Sequence, residues 1–277
     1  MIGYYCAYMR HYYPLEFVTA LLINNETIED LNDAEYLAKL KGIKINLPKW
    51  GKARGEYHCD KETNSIYKGV GSIKGVGSAV GDALYELANN FKFDNFIDLV
   101  IHCIEHQVVG TAVLKTLTKI GYFSEFGSEN YLLLLIDLIE KRYKRTHKEA
   151  TKEKRILEIK ETEIEHKQTS IPEKIKWQVE YLGGVFADAP DAHDGVYVVL
   201  DISKQYATRN VKLVQLKTKD IKLVKIKYQM LQECKVEIGD TIGVYEFEER
   251  DAVRPDGNGR FVRTGHKNLH ATKITKL

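Results

Sequence analysis

Two Gly-Val-Gly triplets, at residues 69–71 and 75–77, start six residues apart in the segment SIYKGVGSIKGVGSAVGDALYEL. A lysine precedes each triplet, Lys68 before the first and Lys74 before the second. Glycine adopts backbone conformations that are closed to other residues, so the two triplets predict two tight turns. Any fold for this chain must therefore place two sharp corners within nine residues.

Neither common nucleotide-binding loop fits this spacing. Gly69, Gly71 and Gly75 give G-x-G-x-x-x-G, whereas a dinucleotide-binding loop requires G-x-G-x-x-G after a buried strand. A Walker A loop requires Lys-Ser or Lys-Thr after its last glycine, and that pair is missing here. Both nucleotide-loop interpretations are therefore excluded.

The second triplet is typical of a helix-hairpin-helix motif. Ile73 precedes the turn, Val76 is expected to pack inward, and the next helix carries Gly81 and Leu84 on one face. Backbone N–H groups of such a turn point outward and, with the N-terminus of the following helix, can bind phosphate oxygens. Contacts of this kind read the DNA backbone and not the bases. A glycine-rich turn without a ligand is the alternative.

The predicted DNA contacts combine the two triplets, their lysines and two lysines of a downstream helix. They are Lys68, Gly69, Gly71, Lys74, Gly75, Val76, Gly77, Ser78, Lys115 and Lys119.

Hydrophobic periodicity divides the chain into a helical front and a β-rich back. Helical spacing covers residues 4–24 with an interruption at Pro14, then 27–42, 78–90, 94–104, 110–120 and 128–145, and a hairpin is expected within 55–71. After Trp177, six short alternating segments predict a small closed β-barrel. The predicted fold class is α+β, with a helical front that contains the helix-hairpin-helix, followed by a small β-barrel.

A charged stretch separates the two halves. Residues 141–176 contain twelve Lys or Arg against seven Glu, which indicates a linker or a solvated helix. The predicted domains are 1–60, a helical segment with the hairpin start; 61–145, a DNA-binding module; 146–180, the charged linker; and 181–277, the barrel.

Composition indicates a globular protein of a reducing compartment. The net charge is only +2, so a nucleic-acid surface must come from local clusters of Lys and Arg. The four cysteines are scattered without a Cys-x-x-Cys pair, which favours free thiols. The longest apolar run, residues 131–139, is too short for a membrane span, and a signal peptide is not expected. The predicted location is the cytoplasm.

Four blocks of sequence resemble the bacterial DNA polymerase III alpha subunit, the C-family replicative polymerase, in the same order. YYCAYMRHYYPLEFVTALL (4–22) is similar to its fingers segment, and AEYLAKLKGIKINLP followed by IYKGVGSIKGVG is similar to the segment that leads into the first hairpin. AVLKTLTKIGYFSEFG (112–127) is similar to the second half of its hairpin pair, and WQVEYLGGVFADAP (177–190) to the segment before its OB domain.

The resemblance implies a non-catalytic DNA-binding part of such a polymerase: an α-helical fingers-domain remnant at 1–60 and a tandem helix-hairpin-helix module, followed by a small OB-like β-barrel. Tyr8, Arg10 and Tyr12 would be fingers residues near the primer-template or the nucleotide. The palm carboxylates of the family have no counterpart here, so we expect no polymerase activity from the chain alone, no cofactor in it, and Mg²⁺ only in a partner polypeptide that carries the palm and N-terminal domains. The chain would be a split subunit, a truncated gene or a fragment. The clamp-binding peptide of the family is not found, so clamp binding stays open.

The sequence allows other interpretations. The chain could be a free-standing helix-hairpin-helix and OB protein of a phage or mobile element. HCIEH (102–106) matches the H-x-x-E-H pattern of inverted zinc peptidases, with Glu105 as the base, although solvent-facing histidines are favoured over a metal site. Asp188, Asp191, His193 and Asp194 could attract a divalent ion, but they are interpreted as a polar loop.

Aromatic and basic residues of the predicted barrel could bind single-stranded template. A solvated sheet face is the alternative, and alternation along the strands leaves at most two or three aromatic side chains on a binding face. The candidates are Tyr197, Tyr206, Tyr228, Tyr245, Phe247, Lys212, Lys217, Lys219, Lys222, Lys225 and Lys227.

Overall fold

The computed structural model describes residues 2–24, 28–166, 168–186, 192–203, 208–255 and 261–277. The chain forms two compact units, Met1–Thr169 and Ser170–Leu277. The predicted α+β class is confirmed, with helices in the first unit and most strands in the second. The finer division of the first unit at residue 60 stays a prediction.

The first unit begins with three helices and a small sheet. They are α1 (Ile2–Tyr12), α2 (Pro14–Ile23), α3 (Ile28–Leu40), β1 (Lys44–Asn46), β2 (His58–Asp60) and β3 (Ser65–Tyr67). The sheet order is β1-β3-β2, with β1 parallel and β2 antiparallel to β3, so the predicted hairpin is confirmed. The proline at the first position of α2 ends α1, as expected from its missing N–H.

Five further helices complete the first unit. They are α4 (Ser78–Asn90), α5 (Phe96–Glu105), α6 (Thr111–Lys119), α7 (Glu129–Arg142) and α8 (Glu149–Lys160). The predicted helices 78–90, 94–104, 110–120 and 128–145 agree with α4 to α7 within three residues at every end. Their apolar faces meet around Tyr122 and Phe123, which are fully buried. The Trp50 ring packs against both rings, and the backbone N–H of Trp50 donates to the carbonyl of Tyr122. These contacts tie the loop before β2 to this core.

The predicted linker 146–180 contains two helices instead of an extended spacer. Helix α8 belongs to the first unit, where Ile159 is buried and Lys160 pairs with Asp98 of α5. Helix α9 (Ile171–Leu182) begins the second unit behind a capping box in which Ser170 and Glu173 bond each other's backbone. The helical alternative for the charged stretch is therefore the one that the structure adopts.

The second unit contains α9, five strands and one short helix. The elements after α9 are β4 (Val196–Ile202), β5 (Thr208–Gln215), β6 (Ile221–Lys227), α10 (Tyr228–Glu233), β7 (Thr241–Pro255) and β8 (Phe261–Lys276). The prediction of six strands was wrong at the end of the chain, because the described residues of the last two predicted segments, 261–265 and 269–275, belong to one strand, β8. Gly265, with φ +77°, lies within this strand, and it is the residue that suggested a break.

The five strands pair in the order β4-β5-β6-β8-β7, and β7 pairs back with β4. Strands β6 and β8 are parallel and pair through one residue pair, Lys225 with His270, so the pairing is shortest between these two strands. Alternate residues of β4 and β5 point to opposite faces: Val199 and Leu213 lie in the core within the ring, whereas Val198 and Val214 pack under α9.

No helix in the described part of the chain is long and apolar enough to cross a membrane.

Candidate nucleic-acid interface

The first Gly-Val-Gly triplet is part of the protein's internal packing. The N–H of Val70 donates to the carbonyl of Arg54 and that of Gly71 to the carbonyl of Gly55, both at 2.9 Å. A Cβ on Gly69 would lie 2.6 Å from backbone atoms of Glu56, closer than real contacts allow. The N–H groups of Val70 and Gly71 are therefore already used inside the protein, and Gly69 is buried, so this packing disfavours the predicted DNA contacts at Gly69 and Gly71.

The second triplet forms an exposed corner. Lys74, Gly75, Gly77 and Ser78 are all exposed, whereas Val76 is buried and its N–H donates to the carbonyl of Ile73. Gly75 has φ +83°, a left-handed conformation that strongly favours glycine, and a Cβ on Gly75 or Gly77 would have no atom within 4 Å. We call residues 74–78 the first corner.

The first corner leads directly into the N-terminus of α4. Gly77 is the N-cap residue, with no side-chain cap and no acidic residue in the first turn of the helix. Within the described residues, the backbone N–H groups of Gly75, Gly77, Ser78 and Ala79 have no acceptor. Unpaired N–H groups at the positive end of a helix dipole attract anions. The corner therefore presents the donors that a phosphate group requires.

A second corner with similar geometry precedes α6. Gly110 is the N-cap residue with φ −74° and ψ 152°, close to the −82° and 154° of Gly77. Val109 is buried before Gly110, as Val76 is before Gly77. The positive φ falls on Gln107, three residues before the N-cap Gly110, whereas Gly75 lies two residues before the N-cap Gly77. We call residues 107–111 the second corner. It differs in sequence from Gly-Val-Gly, and only its resemblance to the polymerase had indicated it.

The predicted lysines divide into one exposed cation and three that interact within the protein. Lys74 is exposed and pairs with no acidic group in the described part of the chain. Lys68 is mostly buried and pairs with Glu35 at 3.4 Å. Lys115 pairs with two carboxylates. Lys119 is half-buried and interacts with another group of the protein. Lys68 and Lys115 are thus paired with carboxylates that are distant in sequence, and their role as DNA contacts stays a prediction.

Sequence reasoning missed the segment that supports the first corner. Residues 54–56 pack against the first triplet and α4, and the carboxylate of Asp82 accepts the N–H of Gly55 at 3.0 Å. Gly81 permits this approach, because a Cβ there would lie 2.7 Å from the Gly55 nitrogen. A glycine inside a predicted helix was the available signal, since such a residue usually marks a close contact.

The HCIEH segment forms the end of α5 and the start of the second corner. His102 and His106 lie next to each other with ring centroids 4.2 Å apart; burial and the neighbouring His106 lower the pKa of His102. The carboxylate of Glu105 accepts a hydrogen bond from the Tyr143 hydroxyl at 2.6 Å and pairs with Lys152 of α8 at 3.0 Å. Glu105 therefore holds helices α5, α7 and α8 together. Among the described residues, no group of three or more potential ligands is placed to hold a metal ion.

Replacing Glu105 with glutamine is expected to lower the Tm of the first unit by about 3 °C at pH 7. The hydrogen bond from Tyr143, then that from Lys152, lowers the pKa of Glu105. A lowered pKa stabilises the folded state above the unfolded pKa, about 4.3, and this contribution is lost as the pH falls through the folded pKa. The difference in Tm between wild type and Glu105→Gln should therefore shrink below about pH 4. Thermal unfolding from pH 3 to 7 measures it.

The control for this prediction is Glu149→Gln. Glu149 also pairs with Lys152, but its side chain is 82% exposed, so its removal should leave Tm nearly unchanged. Equal effects of the two variants at pH 7 would contradict the role assigned to Glu105.

The predicted fingers residues lie on an exposed helix. Tyr8 and Tyr12 of α1 have ring centroids 4.7 Å apart and are 41% and 63% exposed, and Arg10 is exposed as well. Helix α1 carries no acidic residue. Its aromatic side chains are available to a partner, and their role as fingers residues stays a prediction.

The second unit places only some predicted aromatic residues at its surface. Tyr228 and Tyr245 are exposed, Phe247 is half-buried, and Tyr197 is buried in the core. Lys222 lies over the rings of Tyr197 and Phe247. Tyr206, Asp188 and Asp191 lie outside the described residues, and Asp194 pairs with Lys217 at 2.9 Å. Phe247 packs against the core of the unit, so Tyr228 and Tyr245 are the exposed aromatic candidates among the described residues, and their use as a binding face stays a prediction.

Two glycine-capped corners, each with a buried valine and a following helix, define a helix-hairpin-helix module. Residues 30–132 match the helix-hairpin-helix motif family, a range that includes both corners.

The module is similar to part of a replicative polymerase. The DNA polymerase III alpha subunit of Campylobacter jejuni is 32% identical over 46% of this chain, that of Ureaplasma parvum 28% over 50%, and that of Bacillus subtilis 29% over 48%. The matched part covers only 11%, 14% and 12% of those proteins. The resemblance found in the sequence is thus confirmed for about half of the chain, as the helix-hairpin-helix region of DNA polymerase III alpha.

Proposed function

We propose that the chain binds duplex DNA by its phosphates and serves as the non-catalytic DNA-binding part of a C-family replicative polymerase. The observation that carries this proposal is the first corner, where four backbone N–H groups and the Lys74 side chain are exposed together at the start of α4. A helix N-terminus with a neighbouring lysine suits a phosphate group of any nucleotide. The similarity to polymerase III alpha supports DNA as the source of that phosphate.

We propose that the second unit helps to bind the single-stranded template. In support, Tyr228 of α10 and Tyr245 of β7 are exposed on a small unit of strands and helices that also carries several lysines. Exposed aromatic rings stack on bases, and lysines bind the intervening phosphates. Polymerisation itself is proposed to require a partner polypeptide that supplies the palm carboxylates and their Mg²⁺.

Duplex affinity is expected to fall steeply with salt and to depend little on sequence. Each phosphate contact contributes about 0.9 to the slope of log affinity against log salt. Fluorescence anisotropy with two duplexes of equal length and unrelated sequence, from about 50 to 200 mM salt, measures both properties. Lys74→Gln should reduce the slope by about one.

The matched control is Lys41→Gln, which removes the same charge from an exposed residue after α3. Equal reductions of the salt slope by Lys41→Gln and Lys74→Gln would show that DNA affinity responds to net charge alone. No duplex binding at the lowest salt, or a strong preference for one sequence, would contradict the proposed function. The same titration with a single strand and the Tyr245→Ala variant tests the role of the second unit.

A further inference from the structure

The two corners differ in the acidic groups that lie beside them. At the second corner, two residues of α7 face α6: the Thr111 hydroxyl donates to Glu140 at 2.8 Å, and Lys115 contacts Glu140 at 2.6 Å and Asp137 at 2.8 Å. Thr111 and Lys115 lie one turn apart on α6, and Asp137 and Glu140 lie one turn apart on α7, so the four side chains form one cluster.

This cluster lies at the N-terminus of α6. Thr111 is the first residue of the helix and follows the N-cap Gly110, which has no side-chain cap. The Glu140 carboxylate therefore lies at the end of the helix where the dipole favours an anion. The hydrogen bonds from Lys115, then from Thr111, lower the pKa of Glu140, so the group is ionised at neutral pH. A carboxylate in this position binds the two side chains that a DNA phosphate would also use.

The first corner has no such carboxylate. The first turn of α4 contains no acidic residue, and Lys74 has no acidic partner among the described side chains. Two corners with nearly the same backbone geometry are thus unequal in charge. The difference comes from α7, which packs on α6 and places its acidic face beside Thr111.

We propose that Asp137 and Glu140 compete with DNA phosphate for Thr111 and Lys115, so that the second corner binds DNA weakly until this pair is displaced. This proposal rests on the proposed function. The Asp137 and Glu140 side chains are about half exposed, so the ion pairs are of the weak surface kind that phosphate and counterions can exchange. DNA would then be held first by the first corner, and the second would bind after the acidic pair moves away.

A four-variant cycle tests this competition. The proteins are wild type, Lys115→Gln, Asp137→Asn with Glu140→Gln, and the triple variant, each titrated with one duplex across a salt series. In wild type, Lys115→Gln should change affinity by less than about twofold, because Lys115 is already paired. The double variant should bind about five- to tenfold more tightly, with a salt slope steeper by about one. Lys115→Gln in that background should remove most of the gain.

The control removes two negative charges elsewhere in the first unit, with Glu16→Gln and Glu62→Gln. A gain of the same size in this control, or a gain that survives Lys115→Gln, would show a general charge effect and overturn the proposal. A double variant with a lower Tm and unchanged affinity would do the same, because the cluster would then only join α6 to α7. If wild type shows salt-dependent binding but the double variant shows no gain, only the competition is wrong. If neither binds duplex, the proposed function fails too.

Discussion

Replacing Gly77 with valine is expected to lower duplex affinity by about 10- to 100-fold, the equivalent of one or two hydrogen bonds to a charged phosphate. Gly77 has φ −82° and ψ 154°, a conformation that valine adopts without strain, and nothing lies within 4 Å of its Cβ position. The fold should therefore survive, while a branched side chain covers the N–H groups at the start of α4. Anisotropy titration at one salt concentration measures the change.

Gly110→Val is the matched control for Gly77→Val. Both residues are N-caps with open space around them, so both variants should lose the same small amount of stability from an unfavourable cap. Gly110→Val should lower affinity much less, because Glu140 already lies at the second corner. Unchanged affinity in Gly77→Val, with a native thermal transition, would remove the first corner from the proposed interface.

Replacing Gly69 or Gly81 with alanine is expected to destabilise the first unit by about 2 to 3 kcal/mol. Alanine in a helix normally stabilises by about 1 kcal/mol relative to glycine, so the helical Gly81 is the sharper case. Here a new Cβ would lie 2.7 Å from both the Gly55 nitrogen and the Val70 Cβ, and at Gly69 it would lie 2.6 Å from the Glu56 backbone. Overpacking against backbone cannot relax by a rotamer change. Urea unfolding measures the loss.

Gly77→Ala is the comparison for these two variants. Its Cβ position is open, so its unfolding midpoint should stay close to that of wild type. Together, the substitutions separate two glycine triplets that look alike: changes in the first act on stability, and changes in the second act on DNA binding. If Gly81→Ala unfolded at the same urea concentration as wild type, residues 54–56 would have to move away from the new Cβ, contrary to the close contacts described.

Helix α4 shows what local sequence patterns determine well. It was predicted at residues 78–90, and the structure has the same bounds, because apolar spacing and the preceding glycine both act within a few residues. Helices α6 and α7 were similarly predictable, as was the antiparallel pair β2 and β3. The burial of Val76 also followed from the local pattern of the turn.

Long-range partners account for what the local patterns did not show. The first triplet looked equivalent to the second until residues 54–56 were seen to occupy its amides. Lys115 looked like a DNA contact, but its two carboxylates come from α7, more than twenty residues later. The last two predicted strand segments belong to one strand, because β8 pairs with β7 on both sides of Gly265, with a register shift between Asp251 and Val253.

By itself, the sequence determined the α+β class, the helix positions, the sharp turn at the second glycine triplet and the relation to a polymerase module. These depend on periodicity, glycine conformation and residue order, which act over short distances or survive in related chains. Only the tertiary structure decided which corner presents free amides and which lysines keep their charge available. Those properties depend on groups that are far apart in the chain and near in space, and a hydrogen bond or ion pair forms only between atoms that the fold brings within about 3 Å.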